Sequence, residues 1–527
     1  MLPTRSSLIA ASLFFLSACA APDGGGSVTL DGGPDLDGDG WGASVDCDDG
    51  NPAINPGQTE VCMDGSDNDC DGWAGGCELA ERVELSAASA RMIGESAGDQ
   101  ASWSIASVGD VNGDGIGDLV VGAYQEDHAG PFSGAVYLFH GPMAGNINLA
   151  FAAAKMTGES AGSYAGWAVD GAGDINRDGY ADILIGAHGA DGAGDASGVA
   201  YVVFGPVEGD MSLADADVRL EGEAAYDSAG LSVAGIGDIN RDGYPDIAIG
   251  APGNDSATLD AGATYIFRGP LMGTRNMASA DAVIVGEVPE AAAGQKVAGG
   301  GDVNGDGYTD LLIGAPGAGQ SGEAAGAAYL FHGPLAGTRS VNMADAVLRG
   351  EKAQDYAGSD VSFAGDVDGD GYTDVLVGAP GSDKGGEDSG AVYLLTGDLE
   401  GEVLLEEADA TIYGAAGDEV GSAIAAGGDV NKDGYSDILI GAAGDDEGGE
   451  DAGAAWLFHG PVVGELPCDA GDTWFVGENA GDQAGTSVAI APDLNGDGFA
   501  DILIGAMGSD AGGVESGTTY LVSGQGW

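Results

Sequence analysis

The sequence predicts an all-β protein whose bulk is a seven-bladed β-propeller closed by its own N-terminal segment. Three observations predict it. A unit of about 64 residues recurs seven times, each unit reads as four short strands, and the strand missing at the end of the array is present before its start. Composition agrees. Gly accounts for 100 of 527 residues, which without a collagen period means disorder or many tight turns. The 44% hydrophobic content argues against disorder.

The repeat is visible in three registers. Asp110 opens the stretch GDVNGDGIGDLVVGA, and its equivalents are Asp174, Asp238, Asp302, Asp366, Asp429 and Asp493. Gly134, Gly198, Gly262, Gly326, Gly390, Gly453 and Gly517 open a second apolar run in the same phase. A third Gly, usually followed by Glu, falls at 94, 158, 222, 286, 350, 414 and 477. In the unit 296–350, strand one is expected at Lys296–Gly301 and strand two at Leu311–Ile313. Strands three and four are expected at Gly326–His332 and Ala344–Gly350. An open solenoid would need atypical end caps, and none is evident.

The ends argue for closure. The last unit stops after its third strand, Gly517–Ser523. Residues 83–93, with Val83-Glu84-Leu85 and Arg91-Met92-Ile93, match the fourth-strand position and are expected to complete the last blade. The propeller is therefore placed at 82–527.

Between the first and second strands of each unit lies an acidic loop. In the first, Asp110, Asn112, Asp114 and Asp118 occupy positions 1, 3, 5 and 9, with Gly115 after position 5. Oxygen-bearing side chains at alternate positions around a glycine turn are the first half of an EF-hand-like calcium loop. The pattern is intact in Asp174, Asn176, Asp178, Asp182; in Asp238, Asn240, Asp242, Asp246; and in Asp302, Asn304, Asp306, Asp310. It continues in Asp366, Asp368, Asp370, Asp374; in Asp429, Asn431, Asp433, Asp437; and in Asp493, Asn495, Asp497, Asp501. An Asx turn without metal would use the same residue types. Seven intact copies favour Ca²⁺, about one per blade, since 22 clustered carboxylates would otherwise repel. The residue after each glycine (Ile116, Tyr180, Tyr244, Tyr308, Tyr372, Tyr435, Phe499) is expected to pack between blades.

GDVNGDGYTDLLIGAP resembles the FG-GAP repeat of integrin α-subunit propellers, over about 445 residues. The resemblance implies a seven-bladed propeller with calcium in some blades. Phe-Gly is replaced here in most units by Ala-Gly, as at Ala165-Gly166 and Ala293-Gly294. No inserted metal-dependent adhesion domain and no Asp-x-Ser-x-Ser is present, so integrin ligand recognition does not carry over.

The first eighty residues are different. Arg5 precedes an apolar run from Leu8 to Leu16, too short to span a bilayer. Leu16-Ser17-Ala18-Cys19 resembles the bacterial lipobox, which implies cleavage of residues 1–18 and a lipid on Cys19. Ala20 after it implies an outer-membrane lipoprotein. The alternative is an ordinary secretory signal. Residues 19–34 read as a flexible tether. Residues 35–80 form a small module with Cys47, Cys62, Cys70 and Cys77, candidates for two disulfides of unassigned pairing or for a zinc site. The interleaved oxygen donors favour calcium over zinc. Asp35, Asp37, Asp39 and Asp46 fit positions 1, 3, 5 and 12 of a calcium loop, and Asp64, Asp67, Asp69 and Asp71 are a second candidate. The segment resembles the metal-binding motif of MopE-type bacterial surface proteins. Cys468 is expected as a free thiol in a loop.

A net charge of −71 excludes nucleic acid and anionic membrane surfaces as partners. Only a lipid would link the chain to a membrane. The metal loops and the three–four loops should share one face. The opposite face carries the variable two–three loops, among them 124–133, 188–197, 252–261, 380–389 and 443–452, and there an unidentified protein or glycan partner is expected. Enzymatic activity is not expected. His140, His332 and His459 hold one repeated position, His128 and His188 are isolated, and no catalytic signature stands out. A calcium-dependent polysaccharide- or lipid-active enzyme and a purely structural envelope protein are the alternatives.

Overall fold

A computed structural model describes residues 51, 54, 82–319 and 321–524. The chain divides into two compact units, Met1–Cys77 and Glu78–Trp527. The signal, Cys19, the tether, the ligand candidates of the small module and its four cysteines lie outside the described residues.

The second unit is a seven-bladed β-propeller. In blade one the strands run Ala101–Gly109, Asp118–Ala123, Ala135–Phe139 and Ala154–Thr157, antiparallel and in sequence order outward. The second and third strands are buried along their length in every blade, with only Arg268, at the end of blade three's third strand, part-exposed. Their continuous apolar runs, such as DLVVGA and AVYLF, suit strands covered on both faces. The core is accordingly divided. Each of seven apolar clusters lies between two neighbouring blades, as where Val120 and Leu138 of blade one meet Ile185 and Tyr201 of blade two.

One glycine explains how blades approach so closely. A Cβ at Gly122 in the second strand would lie 2.1 Å from the Gly166 carbonyl oxygen of the next blade. The equivalent Gly186, Gly250, Gly314, Gly378 and Gly441 meet the same backbone at 2.0–2.1 Å. No side chain fits there, so the Gly-Ala ending of the second strand is a packing requirement.

Each blade also has a fifth strand that the sequence did not announce. In the unit 296–350, the predicted strands appear as Lys296–Gly299, Leu311–Ala315, Ala327–Phe331 and Ala346–Arg349. The connection between the last two contains a further strand, Gly337–Ser340, and a 3-10 turn, Val341–Met343. Gly337–Ser340 pairs in parallel with Ala282–Val285, the fourth strand of the preceding blade. Neighbouring blades are thus joined by main-chain hydrogen bonds as well as by apolar packing.

Closure uses the same device. Residues 82–93 divide into two strands. Ala90–Ile93 becomes the fourth strand of blade seven, antiparallel to Thr518–Val522. Arg82–Glu84 becomes the fifth strand of blade six, parallel to Thr473–Val476. Gly145–Asn148 of blade one then pairs with Ala90–Ile93. Met92 and Leu85 are fully buried at this junction.

Cys468 is a free thiol, as expected, but it is buried instead of lying in an open loop. It opens the 3-10 turn Cys468–Ala470 and is 4% exposed, packed in the core between blades five and six. Leu149, Leu213, Met277, Val341 and Leu405 hold the equivalent place, each also buried. The thiol is an apolar filler without a disulfide, and its burial rules out an intermolecular bridge in the folded protein.

Candidate metal centres

The acidic loops join the innermost strand of each blade to the second, and the second strand's first residue is the position-9 aspartate (blade four's strand starts one residue later). Asp118, Asp182, Asp246, Asp310, Asp374, Asp437 and Asp501 are all fully buried at the base of their loops. Positions 1, 3 and 5 lie at the surface above them.

One hydrogen-bond framework recurs in all seven loops. The position-6 glycine N–H donates to Oδ2 of the position-1 Asp, at 2.6–3.0 Å. The position-5 N–H donates to Oδ1 of the position-3 side chain, and the position-7 N–H to Oδ1 of the position-5 Asp. The position-2 N–H donates to Oδ2 of the buried Asp, at 2.7–3.1 Å. In the first six blades its Oδ1 accepts the N–H of a glycine after the third strand, such as Gly141 and Gly205. That bond also puts the three–four connection on the metal-loop face. The turn needs glycine at position 6, where φ is +90° at Gly115 and +97° at Gly179.

These bonds aim the side chains without exhausting them, because a carboxylate oxygen that accepts one N–H keeps a second lone pair. In loop five the ligand oxygens of Asp366, Asp368 and Asp374 lie within 4.8 Å of one another. The other six loops carry Asn at position 3. Burial pushes the carboxyl pKa of Asp182, Asp246 and Asp501 up to about 7 and that of Asp374 to about 6, with repulsion from neighbouring loop aspartates added and the N–H donors opposing. Hard oxygen donors at close quarters, one of them buried and hard to ionise alone, fit a hard divalent cation.

The sequence reading placed His140, His332 and His459 as structural residues but missed their partner. Each holds Nδ1 3.2 Å from a carboxylate oxygen of the buried loop aspartate, Asp118, Asp310 and Asp437 respectively. The pairing lies 22 residues away across an antiparallel turn, so spacing alone does not reveal it. His188, isolated in the sequence, is not isolated in the fold. It is half-buried against Tyr164 and Trp167, and burial lowers its pKa to about 4.

The six aromatic residues at position 7 do pack between blades, whereas Ile116 leaves Gly496 of the neighbouring loop without a contact. Arg177, at position 4 of loop two, lies 4.0 Å from the ring centroid of Tyr244 in loop three and donates to the Gly243 carbonyl. Arg241 repeats this over Tyr308, and Lys432 lies over Phe499. Where position 4 is glycine the ring closes in directly. A Cβ at Gly113, Gly305 or Gly369 would lie 2.7–2.9 Å from Tyr180, Tyr372 or Tyr435.

Comparison with known proteins agrees with the architecture. The FG-GAP repeat model matches residues 102–139, 165–203, 229–267, 293–331, 357–395, 420–458 and 484–522, together more than half of the chain. The Cu-binding MopE model, a metal-binding motif, matches residues 46–74, which include Asp46 but not Asp35, Asp37 or Asp39. Integrin alpha-5 of Xenopus laevis is 36% identical over 170 residues, 31% of this chain and 15% of that protein. Integrin alpha-V of Gallus gallus is 31% identical over 220 residues, 40% of this chain and 19% of its own length. Phosphatidylinositol-glycan-specific phospholipase D of Homo sapiens is 32% identical over 228 residues, 41% of this chain and 26% of its own. The likeness therefore spans a small part of each relative, the repeats. With seven matched repeats forming seven blades, the chain belongs to the FG-GAP repeat family.

Proposed function

We propose that this protein is a calcium-stabilised interaction module of the bacterial cell surface, held to the outer membrane by a lipid on Cys19. The observation that carries the reading is the identical framework of seven acidic loops on one face, which leaves the face of the two–three and four–one loops free for recognition. Ca²⁺ would be held by the residues at positions 1, 3, 5 and 9 of each loop, Asp110, Asn112, Asp114 and Asp118 in the first. When bound it supplies positive charge that neutralises the buried aspartate. The chain's own contribution is to aim those oxygens through the recurring N–H bonds and to fix the turn between the two inner strands.

The small module would hold one or two further ions. Its aspartates favour Ca²⁺, whereas the name of the matching motif points to copper. Adhesion or binding of a protein or glycan fits the integrin relatives, with the partner on the face opposite the metal. An enzymatic reading rests on the phospholipase relative, which shares 26% of its length with this chain. The test is a metal count by mass with denaturation in calcium and in chelator, joined to two–three loop exchanges. No bound calcium and unchanged stability would refute the metal role. Partner binding that survives every exchange would refute the assigned face.

A further inference from the structure

The repeat supplies its own control for asking which residues serve more than architecture. On the face opposite the metal loops, six rings of blades one and two form one connected cluster: Trp103, Tyr124, Phe132, Tyr164, Trp167 and His188. Trp103 and Trp167 have centroids 4.6 Å apart, and Tyr124 lies 5.0 and 4.9 Å from them. Phe132, Tyr164 and His188 make a near-parallel row, with centroid spacings of 5.9 and 5.2 Å. All six retain exposure, Phe132 at 44%.

Other blades are built without these rings, save for Tyr356 at the place of Tyr164. The position of Trp103 and Trp167 is Leu231, Gln295, Ser359, Ser422 and Thr486 in the other blades. That of Tyr124 and His188 is Pro252, Pro316, Pro380, Ala443 and Met507. The place of Phe132 is taken by Ala196, Asp260, Ala324, Asp388, Asp451 and Glu515. Phe132 and Tyr164 sit at φ of 57° and 54°, the left-handed conformation that all seven blades adopt at these two turns, so a smaller residue there keeps the backbone. Trp103 is presented on a β-bulge, where pairing with the second strand skips from Ala101 to Ser104.

The surroundings select the ligand class. The rings touch one another, so they enclose no box for an ammonium or guanidinium group; what they offer is outer faces. Beside them lies a network of amide and hydroxyl groups, which Gln100 Nε2 links to the Glu515 carboxylate at 3.4 Å. The Tyr124 hydroxyl donates to Gln100 Oε1 at 2.5 Å, and Gln125 Nε2 donates to both Gln100 Oε1 and the Tyr124 oxygen. Ring faces pack against the C–H face of a pyranose, and amide and hydroxyl groups meet its hydroxyls. A chain of net charge −71 repels a polyanion.

We infer that the aromatic cluster of blades one and two is a binding site for a neutral saccharide. This rests on the recognition face assigned above and gives it a ligand class. The test is fluorescence titration of the full mature chain, reporting on Trp103 and Trp167, with neutral gluco-, manno-, galacto- and xylo-hexasaccharides and a hexauronate. At least one neutral hexasaccharide should change the emission saturably, and the hexauronate should not. Tyr164→Ser and Phe132→Asp install residues that blade three carries at the same places, so both variants should melt as the parent does while binding weakens at least tenfold. No response to any neutral sugar, preference for the hexauronate, or variants that bind like the parent would overturn the inference. A protein ligand lost on two–three loop exchange but indifferent to these two substitutions and to sugars would overturn it while leaving the interaction-module reading intact.

Discussion

Asp366→Ala isolates the contribution of metal at one loop. Asp366 accepts the N–H groups of Gly369 and Gly371 at 2.7 and 3.0 Å, both at the surface. Water replaces the lost acceptor, so in chelator the substitution should cost no more than about 1 kcal/mol. In calcium the cost should be larger, because a cation at 100 times its dissociation constant adds about 2.7 kcal/mol to the folded state. The difference between the two conditions, about 2–3 kcal/mol, is the metal term. Asp374→Ala behaves differently. Its carboxylate accepts the Val367 N–H at 2.8 Å and the Gly397 N–H at 3.2 Å inside the blade. Removing it leaves two buried donors at about 1–3 kcal/mol each, offset in part by relief of a buried acid. A cost should therefore persist in chelator and grow in calcium. The assay is guanidinium denaturation followed by far-UV circular dichroism in both conditions, with bound calcium counted by mass. If Asp366→Ala costs the same in calcium and chelator and leaves the metal count unchanged, Asp366 is not a ligand and the loop is a turn.

Four further outcomes follow from the fold. Met92→Ala, in the strand that completes blade seven, should cost about 2–5 kcal/mol in denaturant, as a fully buried methionine does. Cys468 should resist thiol reagents until the chain unfolds, since burial raises its pKa well above the usual range, and Cys468→Ser should cost about 1–3 kcal/mol for an unsatisfied buried hydroxyl, whereas Cys468→Val should be tolerated. Arg177→Ala should cost about 1–2 kcal/mol for the contact over Tyr244 and the bond to Gly243, with Arg177→Lys retaining part of it. Burial raises Asp99, Asp170 and Asp418 from the ordinary carboxylate value to about 6, so the native state holds protons that the unfolded chain has released; in chelator, their contribution to stability should fall as pH rises from about 4 to about 6 and then level, which denaturation midpoints across that range will show.

Much of the fold was legible because a repeat of fixed phase converts weak local signals into a strong one. The seven Asp110 equivalents marked the blades, and the unpaired third strand at Thr518–Val522 pointed to residues 83–93 as its partner. The signal failed where an element is short, polar and exposed. Gly337–Ser340 and its counterparts are two to four residues long, too short for an apolar alternation to show, and only pairing with the neighbouring blade makes them strands. It also failed for contacts between loops distant in sequence. His332 meets Asp310 only because two antiparallel strands bring their ends together. The aromatic cluster draws on four separate segments. Its sequence signal was available nonetheless, as rings at repeat positions that the other blades fill, Tyr356 apart, with non-aromatic residues.

Those departures separate two kinds of variation among the blades. Position 4 of the metal loops alternates between glycine and Arg or Lys, but the same contact survives either way. Tyr180 closes on Gly113, whereas Arg177 reaches Tyr244 across the wider gap. At the one junction without an aromatic ring, Gly496 faces the loop that carries Ile116, and nothing fills the space. Variation of this sort conserves a blade-to-blade joint and demands no outside partner. Phe132 has no ring at its counterparts, and Tyr164 has one, Tyr356. These two rings stand where other blades carry mostly Ala, Ser, Asp, Glu or Gln, in a left-handed conformation common to all seven blades, and they remain partly exposed. Four segments of two blades bring six rings together on the face away from the metal loops, which no joint between blades requires, and the ligand inferred above gives them a use.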